Sequence, residues 1–279
     1  MIARYRFMPR RGTFRLLGQY GRMAHEIPTA ELGPGVQLPT IGFGTWQITG
    51  SSAYESTRTA LDVGYRHIDT ATMYGNEDEI GRALRDSGVD RSDIFITTKL
   101  PPSQAGRERQ TIEASLKALG VDHVDLWLIH WPPARGRSVP VWEAFLKARE
   151  AGLTRSVGVS NYDAALIDEL TKETGETPAV NQVAWSPAQH DAQFLADMRD
   201  RRVVVEGYSS LKNTPLDDPR LVAIAEAHGV TVPQVVLRWQ LHHDIVIIPK
   251  STRRERMAEN LSVLDFSLTA AELETVNAW

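Results

Sequence analysis

The stretch GYRHIDTATMYGNE, Gly64 to Glu77, decides how the rest of the chain is read. Its opening residues are apolar or tolerant of extended backbone, and the carboxylate of Asp69 stands where a strand begun near Arg66 should stop. Tyr74 follows five positions later. An acid at a strand end with a phenol just beyond it suggests proton chemistry, provided other segments bring a cation or base alongside.

Working outward, short β-rich runs recur at 40–44, 66–69, 94–98, 124–129, 155–159, 179–182, 203–206 and 245–248. Helical patterns separate them. Ser52-Ala53-Tyr54-Glu55 and Thr269-Ala270-Ala271-Glu272 read as capping boxes, and Thr231 followed by Pro233 suits a helix opening. Leu166, Ile167 and Leu170 share a helical face after Asp163, as Val235, Val236 and Trp239 do after Pro233. Eight strand-plus-helix units predict an α/β fold of the (β/α)8 barrel type, with an open doubly wound sheet as the alternative. GPGVQLP, Gly33 to Pro39, predicts a β-hairpin cap ahead of the first barrel strand.

Composition narrows the function classes. At 279 residues and 42% hydrophobic, the chain can bury a large core. It has no cysteine, which excludes disulfides and thiolate nucleophiles and suits a reducing, cytoplasmic setting. No apolar run approaches the roughly eighteen residues that would cross a bilayer. Residues 1–22 hold Arg4, Arg6, Arg10, Arg11, Arg15 and Arg22 without an acid, and Met23 offers a second start, so they are read as an extension, disordered or outside the native start. Residues 23–279 are read as the one folded domain. Removing those six arginines from a net charge of −4 leaves −10, which argues against a nucleic-acid partner.

The strand ends carry the chemistry. They are Thr45, Asp69, Lys99, His130, Ser160 with Asn161, Gln182, Tyr208 and Lys250, positions that converge on the C-terminal mouth of a barrel. Singly, Asp69 could cap a helix, Lys99 could be solvated and His130 could be a core histidine. At a common mouth they read as a site. A phenol titrates near 10, so Tyr74 needs help to act near neutrality. Lowering it by two units takes about 2.7 kcal/mol, and an ammonium about 4 Å away at an effective dielectric of 20 offers about 4 kcal/mol. Lys99 is expected to acidify Tyr74, with Asp69 keeping Lys99 protonated and a neutral His130 donating to a substrate oxygen.

A cofactor site is also legible. Gly42-Phe43-Gly44 lacks the third glycine of a Gly-x-Gly-x-x-Gly turn, which argues against a Rossmann site. IPKSTRRERMAEN gathers Lys250, Ser251, Arg253 and Arg256 near an expected helix start, a cage suited to a phosphate. His242, His243 and Asp244 are read as a loop, and no metal site is expected.

Taken in order, GYRHIDTATMYGNE, ITTKL, VDLWLIHWP, GVSNY, NQVAW and IPKSTRRERMAEN resemble the aldo-keto reductases, especially the bacterial 2,5-diketo-D-gluconate reductase-like members. The resemblance covers residues 28–279. It implies a (β/α)8 barrel, NADPH, and reduction of a small-molecule aldehyde or ketone, with Asp69, Tyr74, Lys99 and His130 as the catalytic tetrad. It implies that Ser160, Asn161 and Gln182 hold the carboxamide, that Tyr208 stacks on the nicotinamide, and that Thr45, Ser209 and Leu211 also contact the cofactor. Lys250, Ser251, Arg253 and Arg256 would take its 2′-phosphate, with Glu259 and Asn260 on the adenine side.

Family enzymes are often monomers, and a monomer is expected. Departures from the family pattern fall at Pro101-Pro102, Ala184, Ser186 and Ser209-Ser210, and bear on substrate choice. The chain ends at Trp279 where many relatives continue into a tail, so a shallower pocket is expected, walled by Trp46 and Trp131 and, less directly, by Tyr162. The competing reading is a non-catalytic NADPH-binding module that senses redox state; a phosphate-handling barrel isomerase would need a glycine-rich phosphate loop.

Overall fold

A computed structural model describes residues 26–279 other than Arg135 and Asn213; the basic extension expected at 1–22 lies outside the described residues. The described residues open with an antiparallel hairpin, β1 (Thr29–Gly33) and β2 (Val36–Pro39). Its turn passes through Gly35 at φ +75°, a left-handed conformation that glycine adopts without strain.

Eight parallel strands follow: β3 (Phe43–Gly44), β4 (His67–Asp69), β5 (Phe95–Leu100), β6 (Val124–Ile129), β7 (Thr154–Ser160), β8 (Val180–Ala184), β9 (Val204–Tyr208) and β10 (Val246–Ile247). Each of the eight runs expected from the sequence overlaps one of them. The sheet closes where Ile41 bridges Ile247, with Gly42 N donating to Ile247 O at 2.7 Å and Ile247 N to Thr40 O at 2.9 Å. This explains Gly42 and Gly44 without any nucleotide turn. A Cβ on Gly44 would stand 2.5 Å from Ile248 O, and one on Gly42 2.4 Å from the His67 ring.

The helices α1 (Ser51–Val63), α2 (Glu77–Asp86), α3 (Glu108–Leu119), α4 (Ser138–Glu150), α5 (Ala164–Thr174) and α6 (Ala192–Asp200) connect successive strands from β3 to β9. Two more, α7 (Pro219–His228) and α8 (Val232–His242), link β9 to β10, and α9 (Arg254–Leu261) and α10 (Ala270–Asn277) follow. Three of the four helix starts singled out in the sequence form as expected. Asp163 Oδ1 accepts from Leu166 N at 2.8 Å, Gln234 Oε1 accepts from Thr231 N at 2.8 Å, and Thr269 with Glu272 closes a reciprocal box. The Ser52 box does not form. Helix α1 begins two residues earlier than that box requires, at Ser51 after Gly50, so Ser52 is already helical and its hydroxyl is misplaced for capping. His242 likewise closes α8 instead of lying in a loop, and His243, the next residue, pairs with Asn277 Oδ1 at 2.8 Å.

Two apolar layers hold this together. The larger lies between strands and helices, where Trp127 on β6 stacks on Phe145 of α4 with ring centres 3.7 Å apart. Burying a large apolar side chain in this way contributes about 1.5–3 kcal/mol. The smaller lies inside the barrel at its N-terminal end, where Val36 and Leu38 of the hairpin meet Phe95, Leu126, Leu128, Val180 and Val246. The hairpin therefore plugs one end of the barrel, and polar side chains are left for the other.

Candidate active site

Asp69 is the last residue of β4, Lys99 the fifth of six on β5, and His130 the first residue after β6. Lys99 and Asp69 are buried, and each ammonium proton is spoken for: Nζ donates to Asp69 Oδ1 at 2.7 Å, to Asp69 Oδ2 at 2.8 Å and to Thr70 O at 2.8 Å. Burial opposes the charge on Lys99, but Asp69 and the other acidic neighbours prevail and hold its pKa above the ordinary lysine range.

Tyr74 sits on a single 3₁₀ turn, Thr72–Tyr74. That turn is tied to β5 because Thr72 Oγ1 donates to Lys99 O at 2.9 Å. The Lys99 ammonium lies 5.1 Å from the centre of the Tyr74 ring, and the His130 ring meets the same phenol edge-on with centres 5.7 Å apart. The four expected tetrad residues are therefore brought together.

The electrostatics differ from the sequence expectation in one respect. Burial pushes the Tyr74 phenol above its ordinary range, and this outweighs the lowering by Lys99. An ammonium alone would acidify the phenol. This one carries Asp69 at 2.7 Å, whose charge acts on the phenol in the opposite sense, and the half-buried ring has lost water as well. Tyr74 is thus a proton carrier at neutral pH, not a phenolate. His130 falls to about 4, through burial first and the Lys99 charge second, so its imidazole is neutral as expected.

The expected carboxamide group is partly engaged already. Asn161 adopts φ +63°, a left-handed conformation that asparagine tolerates. Its Nδ2 donates to Ser160 Oγ at 2.9 Å and to His130 O at 3.2 Å, and its Oδ1 accepts from the Tyr208 hydroxyl at 2.8 Å. Ser160 Oγ donates to Gln182 O at 2.7 Å. Gln182 is not a strand end, because β8 runs on to Ala184. It sits deeper, and its Nε2 donates to Asp69 Oδ2 and to Glu206 Oε2, both at 2.9 Å. No described residue bonds its Oε1.

Thr45 spends its hydroxyl on Asp69 O at 2.9 Å, so it braces the acid. Ser209, at φ +57°, turns the chain, and Leu211 packs on the apolar core.

At the other end, Arg253 is the residue before α9, and Lys250, Arg253 and Arg256 are exposed. Among the described residues, none of the three pairs with a carboxylate, whereas Arg254 between them pairs with Asp62. Ser251 Oγ accepts from Arg253 N at 3.0 Å. Glu259 is exposed; Asn260 is buried beside the Tyr65 hydroxyl. Trp46 and Trp131 are 44% and 45% exposed, as pocket walls would be, and the Lys212 and Lys250 ammonium groups lie 5.8 and 5.9 Å from the Trp46 ring centre. Tyr162 does not join them. It is buried in the core with its hydroxyl on Ser138, and burial pushes its pKa up to about 12.

Residues 40–279 match the model of the Aldo/keto reductase family. The chain belongs to this family. It is 41% identical over 256 residues to 2,5-diketo-D-gluconic acid reductase B of a Corynebacterium species, an alignment covering 90% of this chain and 92% of that protein. An aldo/keto reductase of Brucella melitensis superposes with a TM-score of 0.87 at 39% identity, over 91% of this chain and 99% of that one. A Bombyx mori aldo-keto reductase in complex with NADP superposes at 0.86 with 30% identity, over 91% and 93% of the two chains.

Sequence reasoning missed three supporting residues. Asn76, fully buried, donates to Thr45 O and Ile48 O and accepts from Thr70 Oγ1, fastening the Trp46 loop to the strand that carries Asp69. Glu77 is buried, accepts from Thr98 and Ser115, and is raised mainly by that burial. Glu206 is wholly buried on β9. An acid inside the otherwise apolar run VVVEGY was the available signal for it.

Proposed function

We propose that the protein reduces small aldehydes or ketones to alcohols, taking NADPH as its reductant. The observation that carries this reading is the buried Asp69–Lys99 pair set against Tyr74, with a neutral His130 on the same phenol. The residues fit the cofactor in two places. Among the described residues, Gln182 Oε1 is an acceptor left open for an amide N–H, and three exposed cations without carboxylate partners suit a 2′-phosphate that NADH lacks.

NADPH, when bound, supplies the hydride. Tyr74 gives its proton to the carbonyl oxygen as negative charge develops there. His130, uncharged at neutral pH, donates a hydrogen bond that orients the same oxygen. Lys99 stays charged because its protons are held by Asp69 and Thr70, so the positive field is fixed before the substrate arrives. Alcohol oxidation with NADP needs Tyr74 as phenolate, and a raised phenol confines that direction to alkaline pH. Trp46 and Trp131 wall the carbonyl site.

Consumption of NADPH, followed with a panel of aldehydes and ketones, tests this reading. Turnover that requires the carbonyl is expected, with NADH a poorer reductant. Tight NADPH binding without turnover of any carbonyl would replace it with the redox-sensing module.

A further inference from the structure

One buried acid beneath the mouth has no part in the reaction described above. We infer that Glu206 is a positioning residue for this site, acting through the Gln182 amide on the carboxamide contact and on the Asp69–Lys99 pair; the inference rests on the reductase reading. The Gln182 amide nitrogen has two protons, and the structure spends one on Asp69 Oδ2 and the other on Glu206 Oε2. With both donated inward, the amide cannot flip without losing two hydrogen bonds to carboxyl groups, and Oε1 is left as the acceptor for a ligand. Glu206 is thus the second of two anchors that decide which end of Gln182 the cofactor meets. Asp69 is the first, and it belongs to the tetrad.

The surroundings of Glu206 make it sensitive to pH. From β8 it faces Gln182, from β4 Asp69 and His67, and from β5 Lys99; neighbouring β10 offers only Val246 and Ile247. Its Oε1 has no hydrogen-bond partner among the described residues and lies 3.7 Å from His67 Nε2. His67 is held near 4, mainly by burial, so it brings no positive charge at neutral pH. Burial first, and Asp69 second, push Glu206 up to about 8, so it holds a proton at neutral pH and loses it in mild alkali. The charge then adds to that of Asp69, strengthens the hold on the Lys99 proton and disfavours a Tyr74 phenolate. Ionised Glu206 therefore keeps Tyr74 a proton donor further into the alkaline range.

Glu206→Gln keeps the shape and the acceptor for Gln182 but never acquires the charge. Its alkaline loss of carbonyl reduction is expected about half a pH unit below that of wild type, so the variant-to-wild-type rate ratio is steady near pH 7 and falls by up to about threefold once the pH is raised far enough for wild type itself to lose most of its activity. Glu206→Thr, a strand-favouring side chain that withdraws the carboxyl, serves the same comparison if the glutamine variant does not fold. It adds an expected weakening of NADPH binding of about fivefold from the unanchored amide. A rate ratio that stays flat with pH in folded, active protein would overturn the inference and leave the reductase reading standing. A wild-type protein inactive with every carbonyl would instead remove the reductase reading.

Discussion

The two ends of the candidate cofactor site are built on opposite principles. Around Tyr74, the charges are buried and bonded in advance: Lys99 has three acceptors within 2.8 Å, and Asp69, Gln182 and Glu206 continue the chain of contacts across the barrel. Around α9, Lys250, Arg253 and Arg256 stand in solvent without carboxylate partners among the described residues. The first arrangement cannot relax when charge develops, which is what an acid site needs. The second is screened by salt and free to fold around a ligand, which is what binding needs. Chemistry and affinity should therefore respond to different perturbations.

The largest expected break comes at the buried end. Lys99→Met leaves Asp69 as an unpaired buried carboxylate, so a loss of about 3–5 kcal/mol in urea-unfolding stability is expected, together with a fall in kcat of about a hundredfold or more. A variant as stable and active as wild type would show that the pair is not what organises the mouth.

Arg256→Ala probes the exposed end. A weakening of NADPH binding of about tenfold is expected, with NADH binding little changed and unfolding stability untouched. Raising the salt should shrink that difference, whereas parallel weakening of both cofactors would remove the phosphate role.

The smallest effect sharpens the contrast through pH. Because burial and Lys99 depress His130 to about 4 in the fold, its unfolded form binds a proton that the folded form refuses. Its contribution is therefore present above about pH 6.5 and lost as pH falls toward 4. His130→Gln should lose less stability than wild type over that interval, by comparison of urea midpoints. Equal losses would mean that His130 is not held neutral by its surroundings.

Much of this was legible in the sequence because strand ends carry their own punctuation. Apolar runs that stop at Asp69, His130, Ser160 and Tyr208 marked both barrel and mouth, and the glycine-bearing GPGVQLP marked the plug. Two kinds of information were not legible. Local capping could not be placed to within two residues, so the Ser52 box was expected where Gly50 opens the helix. Contacts across the barrel interior depend on which strand stands opposite, so Gln182 was read as a strand end although β8 carries it deeper, onto Asp69 and Glu206.

Tyr162 shows the same limit. It lies next to Asn161, whose positive φ turns the two side chains apart, one to the mouth and one to the core. The direction of the Tyr74 shift was missed for a related reason: the ammonium was weighed without the carboxylate that neutralises it and without the loss of water around the ring.

The most direct measurement of the central claim is single-turnover carbonyl reduction by wild type and Tyr74→Phe, with NADPH binding followed in the same samples. The account expects NADPH to bind both proteins with similar affinity, and the reduction rate to fall by about a hundredfold or more without the phenolic proton. Equal rates at equal cofactor occupancy would contradict it.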